Sequence, residues 1–469
     1  MKQLFFDDEF LFARENVRRA YGKPEPVAVY RDGVCETVFC TGSVFCIDGK
    51  YRLIYFGICR DGKKRVFCAE SRDGVHFAPE NVRETAGLAD AIADHQIMTL
   101  SDGQEVAEVY EDPVAPPAER YKMLIADLHY EEFLVDDVVL TSPDLIRWER
   151  KEGARWGYGT EPVTGVFYNS RRGCHTVLLR PFWGVRQVGY VETRDFVTLS
   201  EFNPCMHQDA ADEPLAEIYG MKAMEYEGNI IGFPQIYCKL QNAYNGKYSG
   251  GREEIQLAYS PDGRYWLRSL HEPFISGSEA PEITGGENAM AWFGSCRKIE
   301  NGDVMIYTAG THAEHGHFHA GTEGSIVVYR LRSDGFICLE SQDPAQTSRV
   351  TTREYIWQGG ELRVNLSAKA ATVGIFETAE NGRDINSLGF AHPVPGFGHE
   401  DCVPFSGDST GWVPQFKNGK DLSEFAGRTI VIEVRFEDGR LYSLQGDALR
   451  AFNTEASRYR VKGILPQKR

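Results

Sequence analysis

Five short stretches of this chain repeat one turn chemistry, and the repetition limits what the chain can fold into. The clearest reads Ser71-Arg72-Asp73-Gly74-Val75-His76-Phe77 and follows an alternating strand pattern at 64–70. A glycine there can take positive φ, and Ser and Asp side chains can bond nearby backbone N–H groups. Ser142-Pro143-Asp144-Leu145-Ile146-Arg147-Trp148 is a second copy, and Thr193-Arg194-Asp195-Phe196 is a degenerate third. Ser260-Pro261-Asp262-Gly263-Arg264-Tyr265-Trp266 is a fourth, and Ser333-Asp334-Gly335-Phe336 is a shortened fifth. The hydroxyl residues fall at 71, 142, 193, 260 and 333, so the intervals are 71, 51, 67 and 73 residues. Five copies at blade-sized intervals predict a repeat architecture.

The residues between the turns fit four antiparallel strands per copy. In the first, strands are expected at 41–47, 51–56, 65–70 and 75–78, with Asp48-Gly49 as a hairpin turn. The same plan gives 97–100, 120–126, 137–141 and Trp148 for the second copy. It gives 164–168, 175–179, 187–192 and 197–199 for the third, and 221–226, 230–234, 254–260 and Trp266 for the fourth. The fifth takes 291–298, 303–307, 324–330 and 336–339. Five such sheets can close a ring, which leaves only short, protected edges. The expected fold is therefore all-β: a five-bladed β-propeller over 1–342, followed by a β-sandwich over 343–469. A polar linker (341–348) and closely spaced strands with glycine-rich turns mark the second part. The leader at 1–30 carries 9–19, which reads equally as strand or short helix.

Composition agrees and excludes some partners. Aromatic residues make up 12% of the 469 residues, with 47 glycines, as strand-and-turn proteins need. The net charge of −17 argues against nucleic acid or an anionic membrane surface as the main partner. Eleven cysteines are an odd count with no Cys-x-x-Cys, and most lie in apolar strands, so they read as reduced core residues. The opening Met1-Lys2-Gln3-Leu4-Phe5-Phe6-Asp7-Asp8 meets acid at once, unlike a signal peptide. No apolar run reaches the ~18 residues of a membrane span. The expectation is a cytoplasmic protein without cofactor, with homo-oligomerisation left open.

In a propeller the innermost strands converge on a tunnel, so side chains near their starts are the place to look for chemistry. Those positions carry Glu36, Asp94, His95, Asp112, Glu161, Asp209, Asp212, Glu213 and Glu287, with the loop His312-Ala313-Glu314-His315-Gly316-His317-Phe318-His319. Several carboxylates around a mouth fit glycosidic bond cleavage. That reaction needs one carboxylic acid to protonate the leaving oxygen and a second as nucleophile or base. Clustering raises carboxyl pKa values and keeps the acid protonated. Arg180 and Arg186 could hold an acidic or phosphate group, and equally could cross-link blades. The histidine loop reads as sugar-contacting rather than metal-binding. Trp183, Tyr219, Trp292 and Phe318 could stack on sugar faces.

The five turns followed by a β-sandwich resemble the five-bladed propeller glycosidases, closest in plan to glycoside hydrolase family 32, with families 43, 68 and 130 as relatives in architecture. Tyr110-Glu111-Asp112-Pro113-Val114 is similar to the family's Arg-Asp-Pro motif, with Glu111 in place of the arginine. The resemblance implies that Asp112 stabilises the transition state. Gly159-Thr160-Glu161-Pro162 is similar to the Glu-Cys-Pro motif and implies Glu161 as general acid. The Asn-Asp-Pro-Asn-Gly nucleophile turn has no counterpart near Phe39-Cys40-Thr41-Gly42, and Glu36 is the nearest upstream acid. The implied activity is hydrolysis of a small oligosaccharide or glycoside. Asp94, His95, Arg180, Asp209, Tyr219, His312 and His315 are the expected substrate contacts. A family 130-type phosphorylase is the alternative, and a propeller that only binds carbohydrate is another.

Overall fold

The structure is a computed structural model, and it describes residues 1–129, 134–157, 163–181, 185–239, 251–276, 290–311, 313–315, 324–377 and 392–450. Its regular secondary structure is nearly all strand; the α-helix among the described residues is the single turn Arg83–Ala86. The chain divides into two compact units. One is Lys23–Ser333, and the other combines Met1–Gly22 with Asp334–Arg469. The sequence reading set one boundary at 342, whereas the second unit draws strands from both ends of the chain.

The first unit is a five-bladed propeller. Blade I pairs Cys35–Ile47, Lys50–Cys59, Lys64–Ser71 and Ala78–Pro79 in order. Blade II pairs Gln104–Glu111, Tyr121–His129, Leu134–Ser142 and Glu149–Gly157, and blade III pairs Val163–Asn169, Cys174–Leu179, Val188–Thr193 and Asn203–Met206. Blade IV pairs Ala216–Tyr226, Asn229–Lys239 and Gly251–Ile255, with Ala258–Ser260 also on its second strand. Blade V runs Met290–Lys298, Val304–Thr311 and Gly324–Leu331, and its last strand is Glu25–Tyr30 from the start of the unit. The expected fourth strand at 336–339 was wrong. Ile337–Ser341 instead pairs with Val17–Tyr21 in the second unit, because closing a ring takes an edge from the other end of the chain.

Blade II also departs from expectation. The stretch expected to be its first strand, near 97–100, pairs with the third strand of blade I instead. The true innermost strand is Gln104–Glu111, which carries Glu105, Glu108 and Glu111. An apolar-run criterion passes over such a strand. Its polarity has a cause: Glu108 is buried, accepts a 2.8 Å bond from Lys222 Nζ of blade IV, and accepts the N–H of Val166 in blade III.

The innermost strands share a further feature. A β-bulge interrupts the first pairing in four blades, at Ala107, Thr164, Tyr219 and Gly294. Blade I is irregular at Glu36 and again between Phe39 and Ser43. Bulges bend a strand and re-aim the extra residue. Here they let neighbouring inner strands approach closely: Thr164 Oγ1 accepts the Met221 N–H at 3.3 Å, and a Cβ on Gly165 would lie 2.8 Å from the Met221 carbonyl oxygen.

The recurrent turns connect third to fourth strands, and four share one geometry. Ser71, Ser142, Thr193 and Ser260 each accept the N–H three residues on, at 3.0, 2.8, 2.9 and 2.7 Å. Asp73, Asp144, Asp195 and Asp262 each accept the next two free N–H groups at 2.8–3.1 Å. The degenerate copy is thus a full member. Leu145 (φ 68°) and Phe196 (φ 60°) take the left-handed conformation where the other copies have glycine. Both are buried in the core, and that packing offsets a conformation that costs non-glycine residues.

Each turn is also gripped by the preceding blade. Tyr307 Oη of blade V donates to the Gly74 carbonyl at 2.8 Å, and Arg52 of blade I to that of Asp144 at 2.8 Å. Trp156 of blade II donates to the Phe196 carbonyl at 3.0 Å, and Asn169 of blade III to that of Asp262 at 2.7 Å. The fifth copy differs. Asp334 accepts bonds from Lys2 Nζ at 3.0 Å and Ser443 Oγ at 2.7 Å inside the second unit.

That second unit is one nine-stranded sheet curled over its own core, a β-sandwich-like arrangement. Its two long strands, Tyr355–Glu377 and Thr429–Arg450, pair along most of their length, with one unbroken register from Leu366–Leu441 to Glu377–Ile430 and shifts before it. Trp357, Val364, Val373, Ile432, Val434 and Leu444 lie in the core between its faces. Trp357 is almost fully buried there.

Asp144 ties its turn together through one carboxylate. Asp144→Ala should lower propeller stability by about 1–2 kcal/mol in urea unfolding, as loss of a capping side chain does, while Asp144→Asn keeps an acceptor oxygen and should cost less. A second expectation concerns Asp137, buried on the blade II third strand. One oxygen accepts the Val163 N–H and Oδ1 has no partner, and burial pushes its pKa up to about 8. A raised folded-state pKa contributes stability below the unfolded value near 4, and that contribution is lost as pH rises through about 8. Asp137→Asn should flatten this part of the pH–stability curve, leaving the variant closer to or above wild type at pH 9 than at pH 5.

Candidate functional site

Where the innermost strands begin, blades III, IV and V bring together a compact polar and aromatic cluster. Tyr219 is the bulged residue of the blade IV inner strand, so its ring leaves the regular alternation. The Arg180 guanidinium lies 4.4 Å from that ring centre and donates to the Tyr219 carbonyl at 3.0 Å. Arg186 lies 5.3 Å from the same ring and 5.5 Å from the ring of Tyr237, and pairs with Glu217 at 2.7 Å. His315 sits against both tyrosines, with Nε2 3.3 Å from Tyr219 Oη and its ring 4.5 Å from that of Tyr237. Its N–H is anchored on the Gly251 carbonyl at 2.9 Å. Burial pushes the Tyr219 phenol up to about 12, with Arg180 pulling the other way, so it stays a neutral hydrogen-bonding group. The cluster offers two cations, a phenol, an imidazole and aromatic faces.

A second constellation lies at the start of blade I. Asp32 accepts bonds from Tyr55 Oη at 2.7 Å and Val34 N–H at 2.7 Å, and lies 3.3 Å from His95 Nε2. Tyr55 is in turn 3.0 Å from Tyr30 Oη. Burial would raise the Asp32 pKa, but the bonds from His95, Tyr55 and Val34 prevail and hold it below the usual value. An ionised carboxylate is thus kept at the beginning of an innermost strand. The sequence reading passed over Asp32 because Arg31-Asp32-Gly33 looks like an ordinary turn; the signal was its position just ahead of Cys35–Ile47.

Of the expected substrate contacts, Arg180, Tyr219 and His315 meet in one cluster, and His95 meets Asp32. Asp94 is exposed and pairs with Arg83 at 3.1 Å. Asp209 joins a group in the linker between blades III and IV. His271 Nε2 is 2.8 Å from it, and Arg268 contacts both it and Asp212. The ligand atoms of Asp209, Asp212 and His271 lie within 4.8 Å of one another. The buried Arg268 guanidinium already supplies the positive charge there.

Asp112 lies where the blade II inner strand ends, not where it begins. It is buried, 3.3 Å from Lys122 Nζ and 3.5 Å from His175 Nε2, and its N–H donates to the Arg120 carbonyl. It closes the loop before the second strand in an ion-paired setting and does not meet the Arg180–Tyr219–His315 cluster. Glu36 occupies an irregular position of the blade I inner strand. The expectations for Glu161 and His312 fall outside the described residues, as do those for Trp183, Glu287, His317, Phe318 and His319.

Between the two ends of the tunnel, the Glu108–Lys222 pair spans from blade II to blade IV. Burial raises the Glu108 pKa against the pull of Lys222.

No family model matches the chain, and no curated protein does. Solved structures with similar chain paths include an N-acetylgalactosamine deacetylase from F. plautii, at 12% identity and TM-score 0.42 over 67% of this chain and 95% of that one. A β-1,2-mannobiose phosphorylase from Listeria innocua matches at 12% identity and TM-score 0.43 over 67% and 96%. A thermostable family-43 glycoside hydrolase matches at 12% identity and TM-score 0.42 over 66% and 95%. Likeness at this level carries no argument about the reaction, and the propeller stands on the strand pairing described above.

Removing one member of a buried ion pair strands the other charge, at a cost of about 3–5 kcal/mol, whereas removing both costs far less. Lys222→Met should therefore destabilise strongly in urea unfolding, and Glu108→Gln/Lys222→Met should recover most of the loss.

Proposed function

We propose that the protein cleaves the glycosidic bond of a small oligosaccharide or glycoside at the tunnel end where the innermost strands begin. The observation that carries this reading is the gathering of Arg180, Arg186, Tyr219, Tyr237 and His315 at that end. Tyrosine rings offer faces for a sugar, and guanidinium and imidazole groups offer hydrogen bonds to its hydroxyls. The reaction needs a protonated acid at the leaving oxygen and an ionised carboxylate on the other side of the sugar. Glu161, two residues before the blade III inner strand, is the proposed acid. Asp32, held ionised by His95 and Tyr55, takes the second part in place of Glu36. Asp112, tied up with Lys122, has no part in this scheme. Hydrolysis, with water as the attacking group, is the primary reading.

A second reading shares the same bond cleavage with phosphate as acceptor. Its specific support is the Arg180–Arg186 pair over one tyrosine, an arrangement suited to an oxyanion.

The discriminating experiment incubates the protein with a panel of oligosaccharides and aryl glycosides, with and without inorganic phosphate. Release of free sugar at equal rates in both supports hydrolysis. A sugar 1-phosphate formed only with phosphate assigns the second reading. Absence of turnover throughout, with sugar binding retained, would leave a carbohydrate-binding propeller and overturn both. Glu161→Gln should lower turnover of natural glycosides about 10²–10⁴-fold, the usual contribution of a general acid. Arg180→Ala should weaken substrate or phosphate binding without unfolding the protein.

A further inference from the structure

Cys35 opens the innermost strand of blade I, and Cys59 ends the strand beside it. They are direct partners in the antiparallel register, with Sγ atoms 3.9 Å apart. The Cys59 N–H donates to the Lys63 carbonyl, and its own carbonyl accepts the Gly62 N–H, both within the adjoining turn. The two cysteines therefore exchange no ladder hydrogen bonds. Such pairs bring Cα atoms to about 4.5 Å, at the near edge of the span of about 4.4–6.8 Å that a disulfide bridges. Both cysteines are buried, and the turn at 60–63 that follows Cys59 is exposed.

The surroundings make the two thiols unequal. The Cys59 thiol is drawn down to about 7, first by its bond with Cys35 and, against burial, by the Arg65 guanidinium. Arg65 is itself fixed by two bonds to Asp61, at 2.8 and 2.7 Å. The Cys35 thiol is pushed up by that same bond, by burial and by the charge of the neighbouring Asp32 carboxylate. A thiolate with pKa near ambient pH is the better attacking group in disulfide exchange.

We propose that Cys35 and Cys59 form a reversible dithiol–disulfide site at the start of blade I, oxidised by a low-molecular-weight disulfide. The Cys59 thiolate attacks one sulfur of that disulfide, forms a mixed disulfide and expels one thiolate. The Cys35 sulfur then gives up its proton to water and attacks the Cys59 sulfur, expelling the second thiolate. Two cysteine thiols lose two electrons, the small disulfide gains them, and the proton balance closes with two small thiols. Oxidation also removes the Cys35 proton beside Asp32, whose hydrogen-bond partners are Tyr55, Val34 and His95. The site thus couples thiol redox state to the carboxylate that opens blade I.

The test uses the full-length protein and oxidised glutathione, followed by alkylation of free thiols, digestion and mass spectrometry. The expected product is one cross-link between the Cys35 and Cys59 peptides, two hydrogens lighter and reversed by dithiothreitol. The melting temperature of the oxidised protein should rise by several degrees, because the link closes a loop in the unfolded chain. Cys35→Ser should instead accumulate the Cys59–glutathione mixed disulfide, and Cys59→Ser should leave Cys35 unmodified. Cys35 and Cys59 remaining as free thiols while other cysteines are modified would overturn the proposal, and so would a Cys59→Ser variant glutathionylated on Cys35. Mapping of the wild-type chain decides the matter even where a variant fails to fold.

Discussion

The propeller depends on a hydrogen bond made four times, from a side chain of one blade to a carbonyl in the aspartate turn of the next. Arg52, Trp156 and Asn169 link blades I to II, II to III and III to IV. Tyr307 links V back to I. Each such bond contributes only about 1 kcal/mol net. Their positions matter more than their sum, because each fixes the angle between neighbouring sheets at the rim. The turn must hold its carbonyl at one place for the bond to form, and the Ser–Asp arrangement does this by using the turn's own N–H groups. At Gly263 the fit is close: a Cβ there would lie 2.4 Å from Asn169 Nδ2. The partner's side chain is one reason that position is glycine, beyond its positive φ.

This explains why the fold was largely legible in the sequence. The turn signal is local chemistry, and local chemistry survives the substitution of Gly by Leu145 or Phe196 when the new side chain finds a core. Two features were not legible. The N-terminal strand Glu25–Tyr30 completes blade V, a pairing across some 300 residues that no local pattern encodes. The blade II inner strand was missed because it lines the tunnel and is polar. Its Glu108 is satisfied by Lys222 from a blade two places away. Hydrophobic periodicity finds strands that face a core, and it fails where the buried face is charged and paired.

The site was legible to a different depth. Arg180 and His315 follow the second strands of blades III and V, Cys174–Leu179 and Val304–Thr311, and Tyr219 lies near the start of the blade IV inner strand; antiparallel pairing puts all three at one end of the ring. The motif-based assignment fared differently. Asp112 looks like a sugar-binding aspartate beside a proline, but it ends its strand, and Lys122 and His175 occupy it. Asp32 lies just ahead of an innermost strand, the position the proposed chemistry would use, within a sequence that reads as a plain turn. Strand direction separated the two cases. A carboxylate just before an innermost strand and one just after it stand at opposite ends of the tunnel, and residue type alone does not tell them apart.

The two ends of the ring divide the physical work. The aspartate turns gather at one end, where side chains lock blade to blade. At the other end lie the strand starts, with a bulged Tyr219, two guanidiniums stacked on it, and a carboxylate held ionised by an imidazole and a phenol. In a chain of net charge −17 the surrounding field favours the stacked cations, and Glu217 pairs with Arg186 at 2.7 Å. Under the proposed function, a sugar or oxyanion would meet donors already oriented by Tyr219 and Gly251, with little side-chain freedom left to lose on binding. Blades III and IV are also joined directly: Arg180 donates to the Tyr219 carbonyl at 3.0 Å, and the Met221 N–H donates to Thr164 Oγ1 at 3.3 Å, so the placement of the cluster rests on contacts between the two inner strands as well as on the turns at the other end.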